Sequence, residues 1–198
     1  MKTSKLILLL FAMTLVLGTL TGCGEEEVAE SEEYGNLAQF TAETLDGGSF
    51  TQDDIQAKDV TIINFWSTTC GPCIAEMPDL AAYAEGLPEN VQLITVCLDG
   101  NRKKETAESI LQEAGFAGIT LTGGDGDFET VMKNIRYTPT TIFVDSEGNL
   151  ATIQLDPEGH FTGQAIIGGS GDVAADFTSA VNQVLKAAGK AEISIEGE

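Results

Sequence analysis

Residues 60–66 are β-branched or aromatic almost throughout and carry no charge, the pattern of a central strand buried on both faces. Residues 91–98 repeat it and predict a second buried strand. Elsewhere the pattern takes on helical character. Helices are predicted over 72–85, 102–114 and 128–135. In the first, Pro72 comes early, where its missing N–H is not needed, and Pro78 is expected to kink the helix. The second turns Ile110 and Leu111 inward and stops at Gly115. Residues 119–122 give a short extended piece. Ahead of the first strand, 40–45 and 49–51 flank Asp46, Gly47 and Gly48, a hairpin signal because glycine accepts positive φ. Late in the chain, 140–144 and 150–155 surround a second turn at 146–149. Residues 165–167 supply an edge strand, and 173–188 close the pattern as a helix.

Strands alternating with helices early, then a hairpin late, predict an α/β fold: a central mixed β-sheet flanked by helices, with an N-terminal β-hairpin extension. The folding unit is expected over 37–188, and about 150 residues is close to the commonest size of one domain. A composition of 42% hydrophobic and 21% charged residues suits a globular core. Residues 156–163 find no place in the sheet and read as a loop or hairpin extension. Residues 189–198 read as a disordered tail.

The first residues alter the picture of where this domain works. Lys2 and Lys5 precede an apolar run over 6–17 that is short for a membrane span, and the run ends at Leu20, Thr21, Gly22 and Cys23. That tetrapeptide resembles the bacterial lipobox. It implies a signal peptide over 1–22 and a lipidated Cys23 as the mature N-terminus, with an uncleaved anchor helix, or cleavage at small residues without lipid, as the alternatives. Each buried methylene of an acyl chain contributes about 0.8 kcal/mol, so several chains would hold the protein at a membrane surface. Residues 23–36 are rich in Glu and too poor in apolar surface to order themselves, which makes them an acidic flexible tether. The expected location is extracytoplasmic, anchored by lipid to the bacterial cell membrane, where disulfides persist. With 31 acidic residues against 10 Lys and Arg, a formal charge of -21, nucleic acid is excluded as a partner.

The candidate chemistry lies where the first buried strand meets the first long helix. Cys70, Gly71, Pro72 and Cys73 form a C-x-x-C pair at that junction. A thiol at a helix N-terminus faces unpaired backbone N–H groups, which favour its thiolate and can bring its pKa to about 3.5–7.5. Cys70 is that thiol. Cys73 lies about one turn further in, near enough to attack a mixed disulfide on Cys70 and release the partner. Half a zinc site has the same spacing, but the chain has one His, Cys97 stands alone and Cys23 belongs to the export segment, so no metal site is assigned. A copper site with His160 as a distant third ligand would prefer wider cysteine spacing. His160 reads as a solvated loop residue and Cys97 as a small core hydrophobe.

At these residues the chain resembles the thioredoxin superfamily, and within it the TlpA/ResA-like membrane-anchored thiol-disulfide oxidoreductases. Three separated segments carry the resemblance: Phe65 and Trp66 through Cys73; Glu76, Met77 and Pro78 just after it; and Thr138, Pro139, Thr140 and Thr141 before a strand. It covers roughly 37–188 and implies a thioredoxin-like fold. It further implies that Pro139 is a cis proline against the active-site disulfide and that Thr138 offers its backbone to an extended substrate, with Trp66 part of the substrate-binding set. A trans proline at a strand start is the simpler reading of the residues themselves. Thioredoxin has a buried Asp where this chain has Asn64, which cannot accept a proton. Glu76 matches a glutamate near the active site of the ResA-like branch, and desolvation there would raise its pKa and suit it to take the Cys73 proton. An exposed helix-face Glu is the alternative. Thr69 stands where many relatives carry Trp.

The resemblance implies exchange of disulfides with exported thiol or disulfide proteins, including apocytochrome c, fed by a membrane or extracytoplasmic electron donor and using no cofactor. Two other functions compete. A peroxiredoxin-like peroxidase would match at Ser67 but not at Ile63, which holds that group's proline position. A redox-inactive, partner-binding lipoprotein would have no need of both cysteines.

Overall fold

Strand β3 (Val60–Trp66) is buried at every position and lies between a parallel neighbour, β4 (Val91–Cys97), and an antiparallel one, β6 (Thr140–Asp145). An uncharged β-branched strand is stable only in such a place, covered on both faces. The computed structural model describes residues 34–156 and 162–195.

Ahead of β3 come β1 (Phe40–Thr44), β2 (Ser49–Thr51) and α1 (Gln52–Gln56). Between β3 and β6 lie α2 (Gly71–Gly86), α3 (Lys104–Ala114), β5 (Thr120–Gly126) and α4 (Asp127–Asn134). The chain then forms β7 (Ile153–Gln154), β8 (Thr162–Gly163), β9 (Ala165–Ile167) and α5 (Val173–Ala187). Seven strands make one mixed sheet in the order β2-β1-β5-β4-β3-β6-β9, and β7 and β8 pair apart from it. This is the thioredoxin-like α/β architecture expected. The N-terminal hairpin extends the sheet by pairing β1 antiparallel to β5.

Alternation along β3 divides the core. Ile62 and Trp66 face α2, α3 and α5 and pack with Met77, Leu80, Leu111 and Phe177. Ile63 and Phe65 face the other side and pack with Phe50, Ile55 and Phe128. Asn64 shares the parity of Ile62 and Trp66, so its amide points toward α2.

Helix α2 runs through Pro78 to Gly86, one residue beyond the expected span at each end. Other elements depart from the sequence reading. Helix α3 starts two residues late, because the N–H groups of Arg102 and Lys103 both bond the Asp99 carbonyl in a turn. Leu111 faces inward with Ala107, while Ile110 is half-buried. Helix α1 was not foreseen; Thr51 and Asp54 cap it reciprocally. Strand β5 runs on through Gly123 and Gly124, and a Cβ on Gly124 would lie 2.5 Å from the Thr41 carbonyl oxygen. The late hairpin is reduced to a single bridge, Val144 to Leu150, before the chain leaves β6 and Ile153 pairs with Gly163.

Both ends of the expected domain extend further. Tyr34 is buried and Asn36 bridges to Asn149, so residues 34–36 of the span read as tether pack on the domain. The expected disorder does not hold for 190–195. Ile193 exchanges two hydrogen bonds with the Asn182 side chain, at 2.8 and 2.9 Å, and Ile193 and Ile195 pack on the core. Residues 1–33, with Cys23, and residues 157–161, with His160, lie outside the described residues. Among the described residues no helix is long and apolar enough to cross a membrane.

Candidate active site

Strand β3 ends at Trp66, and the loop that follows delivers Cys70 to the start of α2. Cys70 is the N-cap: its backbone is extended, its N–H bonds the Ser67 carbonyl at 3.1 Å, and its sulfur accepts the Cys73 N–H at 3.3 Å. Gly71 and Pro72 open the helix, where Pro removes only an N–H that would have had no partner. Cys70 and Cys73 form a disulfide with their Cα atoms 5.3 Å apart. Cys70 is half-buried at the rim, and Cys73 is buried beneath it.

The segment before β6 closes over Cys70. The Thr138 carbonyl oxygen lies 3.5 Å from the Cys70 sulfur, and the Thr138–Pro139 peptide is cis. Thr140 donates its hydroxyl to the Tyr137 carbonyl at 2.9 Å, and the Pro139 carbonyl accepts the Gly168 N–H at 2.8 Å. The loop therefore hangs between β6 and β9. Pro139 is buried, Thr138 half-buried and Tyr137 exposed.

Glu76 occupies the next helical turn below Cys73 and is 6% exposed, so the exposed helix-face reading fails. One carboxylate oxygen accepts the Ser170 N–H at 2.6 Å, and the other, near the Asn64 amide, has no hydrogen bond among the described residues. Burial pushes its pKa up, a neighbouring Asp79 adds to this, and the Ser170 N–H and Asn64 amide oppose it; the net direction is upward. Asn64 donates to the Thr141 hydroxyl at 2.9 Å, and its own carbonyl oxygen has no hydrogen-bond partner among the described residues.

Trp66 needs correction as a substrate contact. It is fully buried at the end of β3, opposite Cys97 on β4, with its ring inside the core. A large apolar ring at that position is worth more beneath the sheet's end than in solvent.

Sequence reading missed a second support. Asp99 accepts the Thr68 N–H at 2.9 Å and the Thr68 hydroxyl at 2.6 Å, and the Cys97 thiol lies 3.4 Å from the same carboxylate. Partial burial raises the Asp99 pKa, but the Thr68 bonds outweigh it and hold the carboxyl below its usual range. The Cys97 thiol goes the other way, pushed up to about 12 by burial and by Asp99. The only sequence hint was an acid in a turn after a buried strand, at Asp99 and Gly100. Among the described residues no three His, Cys, Asp or Glu side chains cluster to hold a metal.

The Redoxin family matches residues 33–164. Thiol-disulfide oxidoreductase ResA of Oceanobacillus iheyensis is 27% identical over 152 residues, 74% of this chain and 77% of that protein. Sporulation thiol-disulfide oxidoreductase A of Bacillus subtilis is 22% identical, covering 79% of this chain and 93% of its own. The crystal structure of a thioredoxin-family thiol:disulfide interchange protein from Chlorobium tepidum superposes with a TM-score of 0.55 at 20% identity, over 78% of this chain and 95% of that one, a likeness of fold. A Redoxin match over most of the chain, on a thioredoxin-like sheet with a disulfide at the head of its helix, means that this protein belongs to the Redoxin family.

Proposed function

We propose that this thiol-disulfide oxidoreductase exchanges disulfides with exported proteins outside the cytoplasm, held at the membrane by lipid on Cys23. The observation that carries the reading is the pairing of a rim sulfur, Cys70, with a buried one, Cys73, under the Thr138 carbonyl.

In the reducing direction, the Cys70 thiolate attacks one sulfur of a partner disulfide. That bond breaks, its other sulfur leaves as a thiolate that takes a proton, and Cys70 is joined to the partner. Glu76 then accepts the proton of the Cys73 thiol. The Cys73 sulfur attacks Cys70, the bond from Cys70 to the partner breaks, and the second partner thiolate recovers the proton. Two electrons have passed to the partner, and the Cys70–Cys73 disulfide has formed. An extracytoplasmic thiol donor returns the protein to its dithiol by the same steps reversed. During the mixed-disulfide stage the backbone at Thr138 and Pro139 would pair with an extended partner segment. Apocytochrome c thiols are one substrate consistent with the ResA-like resemblance.

The test is trapping. Cys73→Ser should accumulate covalent complexes with exported proteins on non-reducing gels, because the first step proceeds and the second cannot; Cys70→Ser should accumulate few. Equal trapping by both would sink the assignment of roles. The anchor is tested separately by the mass of the native N-terminus, where an unmodified chain would remove it.

A further inference from the structure

A chain with 31 acidic residues and 10 basic ones should be acidic on almost any stretch of surface. The segments that meet at the disulfide are the exception. Residues 67–71 carry Cys70; residues 98–103 are tied to them through Asp99 and Thr68. Residues 135–139 lie against the Cys70 sulfur. Residues 168–171 join that group through the Gly168 bond to Pro139 and the Ser170 bond to Glu76. Together they contain one acid, Asp99, and three cations, Arg102, Lys103 and Arg136. The first turn of α2 adds no acid.

The one acid is turned inward onto Thr68, whereas the three cations are exposed and, among the described residues, none is in an ion pair. Of the other cations among the described residues, Lys104 pairs with Glu108, Lys133 with Glu129 and Lys190 with Asp59, Lys58 bonds the Glu89 carbonyl, and only Lys186 has no such partner. Of the acids next along the chain, Asp172 and Asp176 accept hydrogen bonds from the Ala175 N–H and the Ser170 hydroxyl, and a single exposed acid, Glu105 in the first turn of α3, follows Lys103. Apolar groups complete the rim. Ile74, Tyr137 and Ile167 are 38%, 69% and 57% exposed, three of the five large hydrophobic side chains exposed among the described residues.

We propose that Arg102, Lys103 and Arg136 make the surface around Cys70 a receptor for an acidic, cysteine-bearing segment of the partner protein. The inference rests on the exchange reaction proposed above and names the substrate class for it. Carboxylates flanking the partner's cysteine sulfur meet unpaired cations on two sides of Cys70, and apolar neighbours pack on Ile74, Tyr137 and Ile167. The rest of the surface repels such a segment, so productive encounters concentrate at the site.

Net charge and local charge make opposite predictions, which gives a direct test. Three short peptides, each with one cysteine capped as a mixed disulfide with 2-mercaptoethanol and flanked by Glu, Ser or Lys, are offered to the reduced full-length protein. The rate of peptide thiol release is measured. Steering by the local cations should make the Glu peptide faster than the Ser peptide by about ten-fold at low salt, with the Lys peptide slowest. Because the Debye length is about 3 Å at 1 M salt, the ratio should fall toward one there. Arg102→Gln/Lys103→Gln/Arg136→Gln should collapse the ratio. Lys58→Gln/Lys186→Gln/Lys190→Gln, which removes the same charge elsewhere, should leave it in place. Rates that ignore flanking charge, or a fastest Lys peptide, overturn this inference and leave disulfide exchange standing. Failure to react with any of the three overturns the exchange reading and this inference with it.

Discussion

Asp99 grips Thr68 at two points, its main-chain N–H at 2.9 Å and its hydroxyl at 2.6 Å, so a carboxylate at the end of β4 fixes the loop that brings Cys70 from the end of β3. Thr68 is buried, and removing its acceptor leaves two donors without partners. Asp99→Ala is therefore expected to lower stability by about 1–3 kcal/mol, while Asp99→Asn, which keeps an acceptor and a donor in place, loses about half as much. Chemical denaturation of the oxidised proteins measures both. Equal stability of wild type and Asp99→Ala would show that the clamp carries no weight in holding the loop.

The same carboxylate helps keep Cys97 protonated. With its thiol pushed up to about 12 and no exposed surface, about one Cys97 in ten thousand is thiolate at pH 8. In the reduced native protein, iodoacetamide at that pH is expected to modify Cys70 and leave Cys97 untouched until the chain is unfolded. Site mapping by mass spectrometry reads this directly. Rapid native labelling of Cys97 would mean that the end of β4 opens far more often than its packing implies.

What the sequence disclosed was governed by the range of the interaction. The C-x-x-C pair, the flanking strand and helix, and the Gly115 stop are local, written in adjacent residues, and all were legible. The buried position of Glu76 was legible only through family resemblance, because its burial depends on Ser170, ninety-four residues away. The bond between Thr68 and Asp99 spans two strands and left no periodic trace. Gly123 and Gly124 hid the length of β5, since glycine lowers strand propensity while the missing side chains make room for the β1 backbone at Gly124 and for the Asn101 side chain at Gly123. Trp66 was misread because aromatic rings beside reactive cysteines suit both a core and a binding surface, and only the register with Cys97 decides between them.

The C-terminal segment shows a smaller signal that went unread: Ile193 and Ile195 alternate with polar neighbours, as on a strip laid against a surface. A chain ending at Gly189 loses both side chains from the core's edge, the two bonds to Asn182 and the ion pair between Lys190 and Asp59. Two half-buried isoleucines and two hydrogen bonds contribute about 2–4 kcal/mol together, the exposed ion pair little. The truncated protein is expected to unfold at correspondingly lower denaturant, with the Cys70–Cys73 disulfide still formed. An unchanged midpoint would return the segment to the role of a loose tail.

Glu76 ties stability to chemistry through a single proton. Its folded-state pKa lies above the ordinary value of 4.5, with burial the first cause, so the folded protein holds this proton more tightly than the unfolded chain does. It follows that Glu76 supports folding most below pH 4.5 and that this support is lost as pH rises through its raised folded value. Glu76→Gln cannot titrate, and its amide still offers an oxygen to the Ser170 N–H. Stability of the Gln variant relative to wild type should therefore grow as pH rises from 4 toward neutrality, read by denaturation at several pH values. The cost falls on the second step of exchange. Without a carboxylate to take the Cys73 proton, release from a preformed mixed disulfide on Cys70 should slow near neutral pH and recover only at higher pH, where Cys73 ionises unaided. A pH profile of that release unchanged by Glu76→Gln would remove Glu76 from the proton path and leave it as a buried brace for Ser170.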